Sequence, residues 1–245
     1  MPILEGKGVT KYFGGLAAVS NVDFRVEQGE AFGLIGPNGA GKTTLFNLIS
    51  AALSTRSGTI TFKGKNITGL KPYKICRMGI ARTFQTVKIF PDLPVMSNVV
   101  LGLYFGASGK MSSGEKTRRA SEYLDFVGLS KVMTVPARDL TLANQKRLEV
   151  ARALATGPEL LLLDEIMAGL NATEVAQAME LVNRIREKGI TIIMIEHVMK
   201  AIMSVCQRIM VLHHGEKIAE GTPREIAGSE KVIKVYLGDK AHAGG

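Results

Sequence analysis

Short apolar runs punctuate the chain: AFGLI at 31–35, ELLLL at 159–163 and ITIIMI at 190–195. Each is bounded by turn-forming or polar residues and reads as a short buried strand. A helical pattern follows each of them: GKTTLFNLISAAL, then TEVAQAMELVNRIREKG, then VMKAIMSV. Strands alternating with helices predict an α/β fold, a largely parallel sheet with helices packed on it. Two further strands, RIMVLHH and EKIAEG, are joined by a turn at His214-Gly215 and predict a hairpin. From about Val87 to Pro158 the pattern is mostly helical, interrupted by the polar stretch ASGKMSSGEK, so 87–158 is a candidate helical insertion. Within it, LTLANQKRLEVARAL (140–154) begins with a hydroxyl-bearing head and becomes an apolar-periodic helix at about Ala143. Such a helix start attracts anions, because its first amides are unpaired and the macrodipole favours negative charge.

Composition adds bounds to this picture. The 245 residues suffice for one large α/β domain, and 46% apolar content argues against wholesale disorder. No run of about 18 apolar residues exists to span a bilayer. The start, MPILEGKGVTKYF, lacks a signal-peptide pattern. Cys76 and Cys206 have no ligand-like spacing and suit free thiols in a reducing cytosol. The net charge of +9 is uneven: no acidic residue lies between Glu30 and Asp92, where Lys42, Arg56, Lys63, Arg77, Arg82 and other bases fall. An anionic ligand, nucleic acid, an anionic membrane surface or simply a solvated face would each account for it. Aromatic residues interleave poorly with these bases and Trp is absent, so a base-stacking surface is not supported.

The most specific motif is GPNGAGKTT, formed by Gly36, Pro37, Asn38, Gly39, Ala40, Gly41, Lys42, Thr43 and Thr44. It lies between a predicted strand and a predicted helix and fits G-x-x-x-x-G-K-[ST]. Its glycines let the backbone close around phosphate oxygens, Lys42 would reach the outer phosphates, and the Thr43 hydroxyl would bind Mg²⁺. LLLLDE supplies a second half. Four leucines bury the strand and place Asp164 at its carboxyl end, to support Mg²⁺ directly or through water. Glu165 follows, placed to polarise an attacking water. His213 and His214 read as turn residues.

The P-loop, the LLLLDE strand, the helical segment between them and the helix head at Leu140 together resemble an ABC-transporter ATPase subunit, over essentially the whole chain. That resemblance implies a P-loop NTPase core of mostly parallel sheet with an antiparallel β part and an inserted α-helical subdomain. It divides one domain, 1–245, into a nucleotide-binding core (1–86 plus 159–237), a helical insertion with the signature (87–158) and an unstructured tail (238–245). By the same resemblance Phe13 stacks on adenine, and Gln85 senses Mg²⁺ and the attacking water while touching the membrane partner. AGLN (168–171) is the dimer-contact loop, and His197 contacts the γ-phosphate.

The family commonly carries LSGGQ at the start of the signature helix, where it meets the γ-phosphate of a nucleotide held by the other subunit. This chain has Leu140, Thr141, Leu142, Ala143 and Asn144 instead. Thr141 keeps the hydroxyl and the capping role, Asn144 is shorter than glutamine, and both glycines are gone. After Glu165, Ile166-Met167 replace the usual Pro-Thr or Pro-Ser.

KYFGGLAAVSNV, ARTFQTVKIFPDLPVMSNV and the ending AEGTPREI…KVIKVYLG resemble the ATPases of branched-chain or hydrophobic amino acid importers. These pair two ATPase chains with two permeases and an external binding protein. The implied ligands are ATP and Mg²⁺, and the implied place is peripheral, on the cytoplasmic face of the inner membrane. The ending also resembles, more weakly, the ATPase of lipopolysaccharide export. A soluble ABC ATPase acting on nucleic acid or the ribosome is the alternative of another class, without the paired modules or long insertions usual there.

Overall fold

The computed structural model describes residues 2–106 and 111–242. An antiparallel pair opens it, β1 (Pro2–Phe13) and β2 (Leu16–Glu27). Then come β3 (Ala31–Ile35), a glycine-bearing loop and α1 (Lys42–Ile49). β4 (Ser57–Phe62) and β5 (Lys65–Asn66) complete an antiparallel sheet of order β2-β1-β4-β5. This is the antiparallel part that the resemblance implied. α2 (Pro72–Arg77) leads to β6 (Ile80–Arg82), and the helices α3 (Val95–Phe105), α4 (Ser113–Phe126) and α5 (Leu142–Ala155) follow. Part of the polar stretch ASGKMSSGEK, 107–110, lies outside the described residues.

The remaining strands build the second sheet. β7 (Leu160–Asp164) is followed by α6 (Ala172–Glu187), β8 (Thr191–Ile195) by α7 (Met199–Val205), and β9 (Arg208–His213) turns into β10 (Glu216–Gly221). The order is β10-β9-β3-β8-β7-β6, parallel except for the edge hairpin β9–β10. α8 (Pro223–Ala227) and α9 (Glu230–His242) close the described chain. The tail expected to be unstructured at 238–245 is instead helical through His242, as a continuation of α9; 243–245 lie outside the described residues.

Apolar strands need cover on both faces, and the pleat sends alternate side chains to opposite sides. Ile35, Leu161, Leu163, Ile192, Met194 and Val211 pack into one cluster with Val99 and Leu103 of α3, Leu148 and Leu154 of α5, and Val182 and Ile185 of α6. Phe32, Leu34, Leu160, Leu162, Ile193 and Leu212 face the other way, onto Phe46 of α1 and Val9, Val22, Ile60 and Phe62 of the antiparallel sheet. The helices of 87–158 thus share a core with the sheet. The consequence for the site is rigidity: the carboxyl ends of β3, β7 and β8 are fixed from both sides.

Candidate functional site

β3 ends at Ile35, and the chain turns through Gly36 (φ 150°), Gly39 (φ 77°) and Gly41 (φ 102°). Two of these positions demand glycine. A Cβ on Gly36 would lie 2.1 Å from the Leu212 carbonyl oxygen, and one on Gly41 2.3 Å from that of Ala18. The loop is therefore threaded against β9 and β2, and it delivers the chain directly into α1. Gly41 at the N-cap has no side chain to cover the first amides of that helix, so they remain donors for an anion.

The Lys42 side chain is buried, and its ammonium donates to the carbonyls of Gly36 (2.7 Å) and Pro37 (3.0 Å). Burial lowers its pKa, while the charges of Glu165 and Asp164 oppose that shift. Asp164 ends β7. Its backbone N–H donates to Thr83 Oγ1 at 3.1 Å, and its Oδ2 accepts from Arg82 Nη2 at 3.1 Å. Oδ1 is buried without a hydrogen-bond partner in the protein, and burial raises the carboxyl pKa against the pull of Arg82. Arg82 also donates to Asn47 Oδ1 (2.7 Å) and Ser50 Oγ (2.9 Å), tying α1 to the strand ends.

Glu165 adopts a left-handed backbone (φ 51°), with its N–H donating to the Ile195 carbonyl at 2.9 Å. That conformation turns its carboxylate toward two side chains from other strand ends. Gln85 Nε2 donates to one oxygen at 3.1 Å, and His197 Nε2 lies 2.9 Å from the other. The segment carrying Gln85 is itself held by Glu149 of α5, whose carboxylate accepts from the N–H groups of Lys88 (2.8 Å) and Phe84 (3.4 Å).

A cleft of about 580 Å³ brings together residues 38–44, Gln85, Glu165 and His197. It offers amide donors and one ammonium to a polyanion, beside a carboxylate that can accept a proton. Leu16, Ala17, Ala18 and His214 also line it, which the sequence did not reveal. Their small size or turn position carries no chemical pattern; Ala18 matters through its backbone, packed on Gly41. Asp164 sits at the strand end behind the cleft, outside its lining. Phe13 is half exposed at the end of β1 and also outside it. Thr141 and Asn144 stand apart at the head of α5, where the Thr141 hydroxyl caps the helix by accepting from the Asn144 N–H at 3.4 Å.

Comparison with known proteins agrees with this geometry. Residues 19–168 match the ABC transporter family model, and 216–242 match that of the branched-chain amino acid ATP-binding cassette transporter. The chain is 38% identical to the high-affinity branched-chain amino acid transport ATP-binding protein BraF of Pseudomonas aeruginosa, over 97% of this chain and 98% of the relative. It is 39% identical to LivG of Escherichia coli, a protein described in the same words, with the same coverage. An ABC-transporter ATP-binding cassette crystallised in its ADP conformation superposes with a TM-score of 0.88 at 31% identity, covering 97% of this chain and 99% of its own. A dimeric cassette in a post-hydrolysis state with ADP and phosphate gives 0.82 at 28% identity, over 90% of this chain and 99% of its own. The chain belongs to the family of ABC transporter ATP-binding proteins.

Proposed function

We propose that this chain hydrolyses ATP in the cleft above α1 to drive import of branched-chain or other hydrophobic amino acids through a membrane permease. The observation that carries the hydrolytic reading is the Glu165 carboxylate, braced by Gln85 and His197 in the same cleft as the phosphate loop. The amino acid cargo rests on the likeness to BraF and LivG and on the match of 216–242.

In this reading the amides of 38–44 and the Lys42 ammonium bind the outer phosphates. Lys42 exchanges its two loop carbonyls for phosphate oxygens, a stronger, charge-assisted pairing. Glu165 takes the proton from the attacking water, His197 holds the carboxylate and reaches the γ-phosphate, and Gln85 orients the water. Phe13 stacks on adenine, and Thr141 and Asn144 meet a nucleotide held by a second ATPase chain.

Mg²⁺ fits the residues present. Asp164 Oδ1 is a buried oxygen without a protein partner, and the Thr43 hydroxyl lines the cleft. Among the described residues no cluster of three or more His, Cys, Asp or Glu could form a full protein cage. Mg²⁺ characteristically takes one or two protein oxygens and completes its shell with phosphate and water. Thr43 and Asp164 would hold it, with Gln85 beside them. When bound, the cation neutralises charge on the phosphates.

No helix among the described residues is long and apolar enough to cross a membrane, so a peripheral position on the cytoplasmic face requires a partner. An apolar cavity of about 480 Å³ next to Gln85, walled by Ile75, Phe84, Phe90, Leu101 and Phe105, suits a permease segment. The complete assembly has a second ATPase chain, permease subunits and an external substrate-binding protein, and no nucleic acid.

The test is ATP-driven uptake of labelled leucine by proteoliposomes holding this chain with the membrane proteins that copurify with it. Uptake that needs both ATP and an unaltered Glu165 is the expected result. A complex that hydrolyses ATP but takes up no apolar amino acid would overturn the cargo assignment.

A further inference from the structure

Lys146 lies early in α5, at 7% exposure, among the few buried charged side chains. Its ammonium donates to the carbonyl of Glu165 at 2.9 Å and to that of Ala168 at 2.7 Å. Those carbonyls mark the two ends of a turn closed by the Ala168 N–H donating to the Glu165 carbonyl at 3.2 Å. The middle of the turn is held from another side. Glu196, at 3% exposure, accepts the Met167 N–H on Oε1 at 2.8 Å, and its Oε2 is buried without a partner.

A buried ammonium serving only to balance charge would bond a carboxylate directly. Here the charge of Glu196 acts on Lys146 from nearby, while the ammonium's hydrogen bonds go to the backbone of Glu165 and its turn. Glu165 needs such support. A left-handed backbone is unfavourable for a residue with a side chain, and it persists only where neighbours over-determine it.

We propose that Lys146 is a positioning residue for hydrolysis, whose ammonium pins the Glu165–Ala168 turn so that Glu165 presents its carboxylate to Gln85 and His197. The proposal rests on Glu165 being the base for hydrolysis. It has a second consequence. Lys146 belongs to the helix headed by Thr141, so a displacement of that head reaches the catalytic carboxylate of the same chain through one side chain. The head of α5 and Glu165 are mechanically linked.

The experiment measures kcat, KM and the ATP dissociation constant of the full-length chain in the complex with which it copurifies. The variants are Lys146→Met, the pair Lys146→Met with Glu196→Gln, and Glu165→Gln. The paired change removes both buried charges, so no stranded carboxylate destabilises the fold, and it carries the test if the single change does not fold. Lys146→Met, alone or paired, is expected to lower kcat about 10- to 100-fold, the scale of an ångström-level misplacement. ATP affinity and melting temperature of the pair should stay near the parent. Parental kcat in the pair, with Glu165→Gln inert, would overturn the positioning role and leave the base assignment standing. A loss of ATP affinity or melting temperature in step with kcat would equally overturn it, since a purely structural residue gives that result. Parental turnover in Glu165→Gln would instead remove the base assignment itself.

Discussion

His197 Nε2 lies 2.9 Å from Glu165 Oε1, although the two residues end different strands and are 32 positions apart. Gln85 takes the other carboxylate oxygen. The carboxylate is thus oriented by donors on both sides before any water meets it. Replacing His197 with Ala removes one brace while leaving the phosphate loop intact. Hydrolysis should slow by about 10- to 100-fold, with ATP affinity unchanged. Stopped-turnover ATPase together with direct titration of ATP checks both halves.

Lys42 tests the other side of the cleft. Its ammonium is the one positive side chain in the lining, and burial has already stripped it of water. Lys42→Ala should therefore weaken ATP binding and hydrolysis together. Unchanged affinity in a calorimetric titration, with normal turnover, would count against the phosphate-binding assignment.

The head of α5 predicts unequal sites if the second ATPase chain has a glycine-rich signature. Leu142 is 47% exposed and lies close enough to Gly169 that a Cβ there would sit 3.2 Å from its Cδ2. LTLAN therefore presents side chains where LSGGQ presents bare backbone, and each lost transition-state donor costs roughly 2.7–4 kcal/mol. ATP facing Thr141 and Asn144 should turn over slowly, and ATP in this chain's own loop quickly. Changing Leu142→Gly, Ala143→Gly and Asn144→Gln together should raise the slow site. Equal rates before and after the change, measured by single-turnover hydrolysis, would refute the inequality.

Glu196 gives a pH signature. Burial pushes its carboxyl up to about 7. In the unfolded chain a glutamate titrates near about 4.3. Below that lower value both states are protonated and the contribution of the group is fully present. Across the window up to about 7 the folded chain binds more protons, so stability falls as pH rises. Glu196→Gln should flatten this fall. Denaturant midpoints on either side of the window, compared between parent and variant, decide it; parallel curves would contradict the buried carboxyl.

Much of this was legible in the chain. AFGLI, ELLLL and ITIIMI match β3, β7 and β8 within a residue, because a strand buried on both faces leaves an uninterrupted apolar run. The phosphate loop was legible because its glycines answer a local demand: Gly36 and Gly41 have no space for a Cβ. Charged residues with distant partners were not. Arg82 meets Asp164 across 82 positions, and Glu149 holds the Lys88 amide across 61. In a sequence, Lys146 and Glu149 look like the solvated face of a helix; the fold places both against the strand ends. β1 and β2 escaped the reading of the strands for another reason. Repeated register shifts between them break the strict alternation by which a half-buried strand is recognised.

The most direct test of the account is Glu165→Gln in the copurified complex, with ATP binding and hydrolysis measured on the same preparation. Glutamine keeps the size of the side chain and its contacts with Gln85 and His197 in reach, and removes only the basic oxygen. Hydrolysis should fall by about 10²–10⁴, the contribution of a general base, while ATP remains bound at parental affinity and the closed dimer accumulates. Hydrolysis at the parental rate, with the nucleotide bound as before, would contradict the central claim that Glu165 is the base in this cleft.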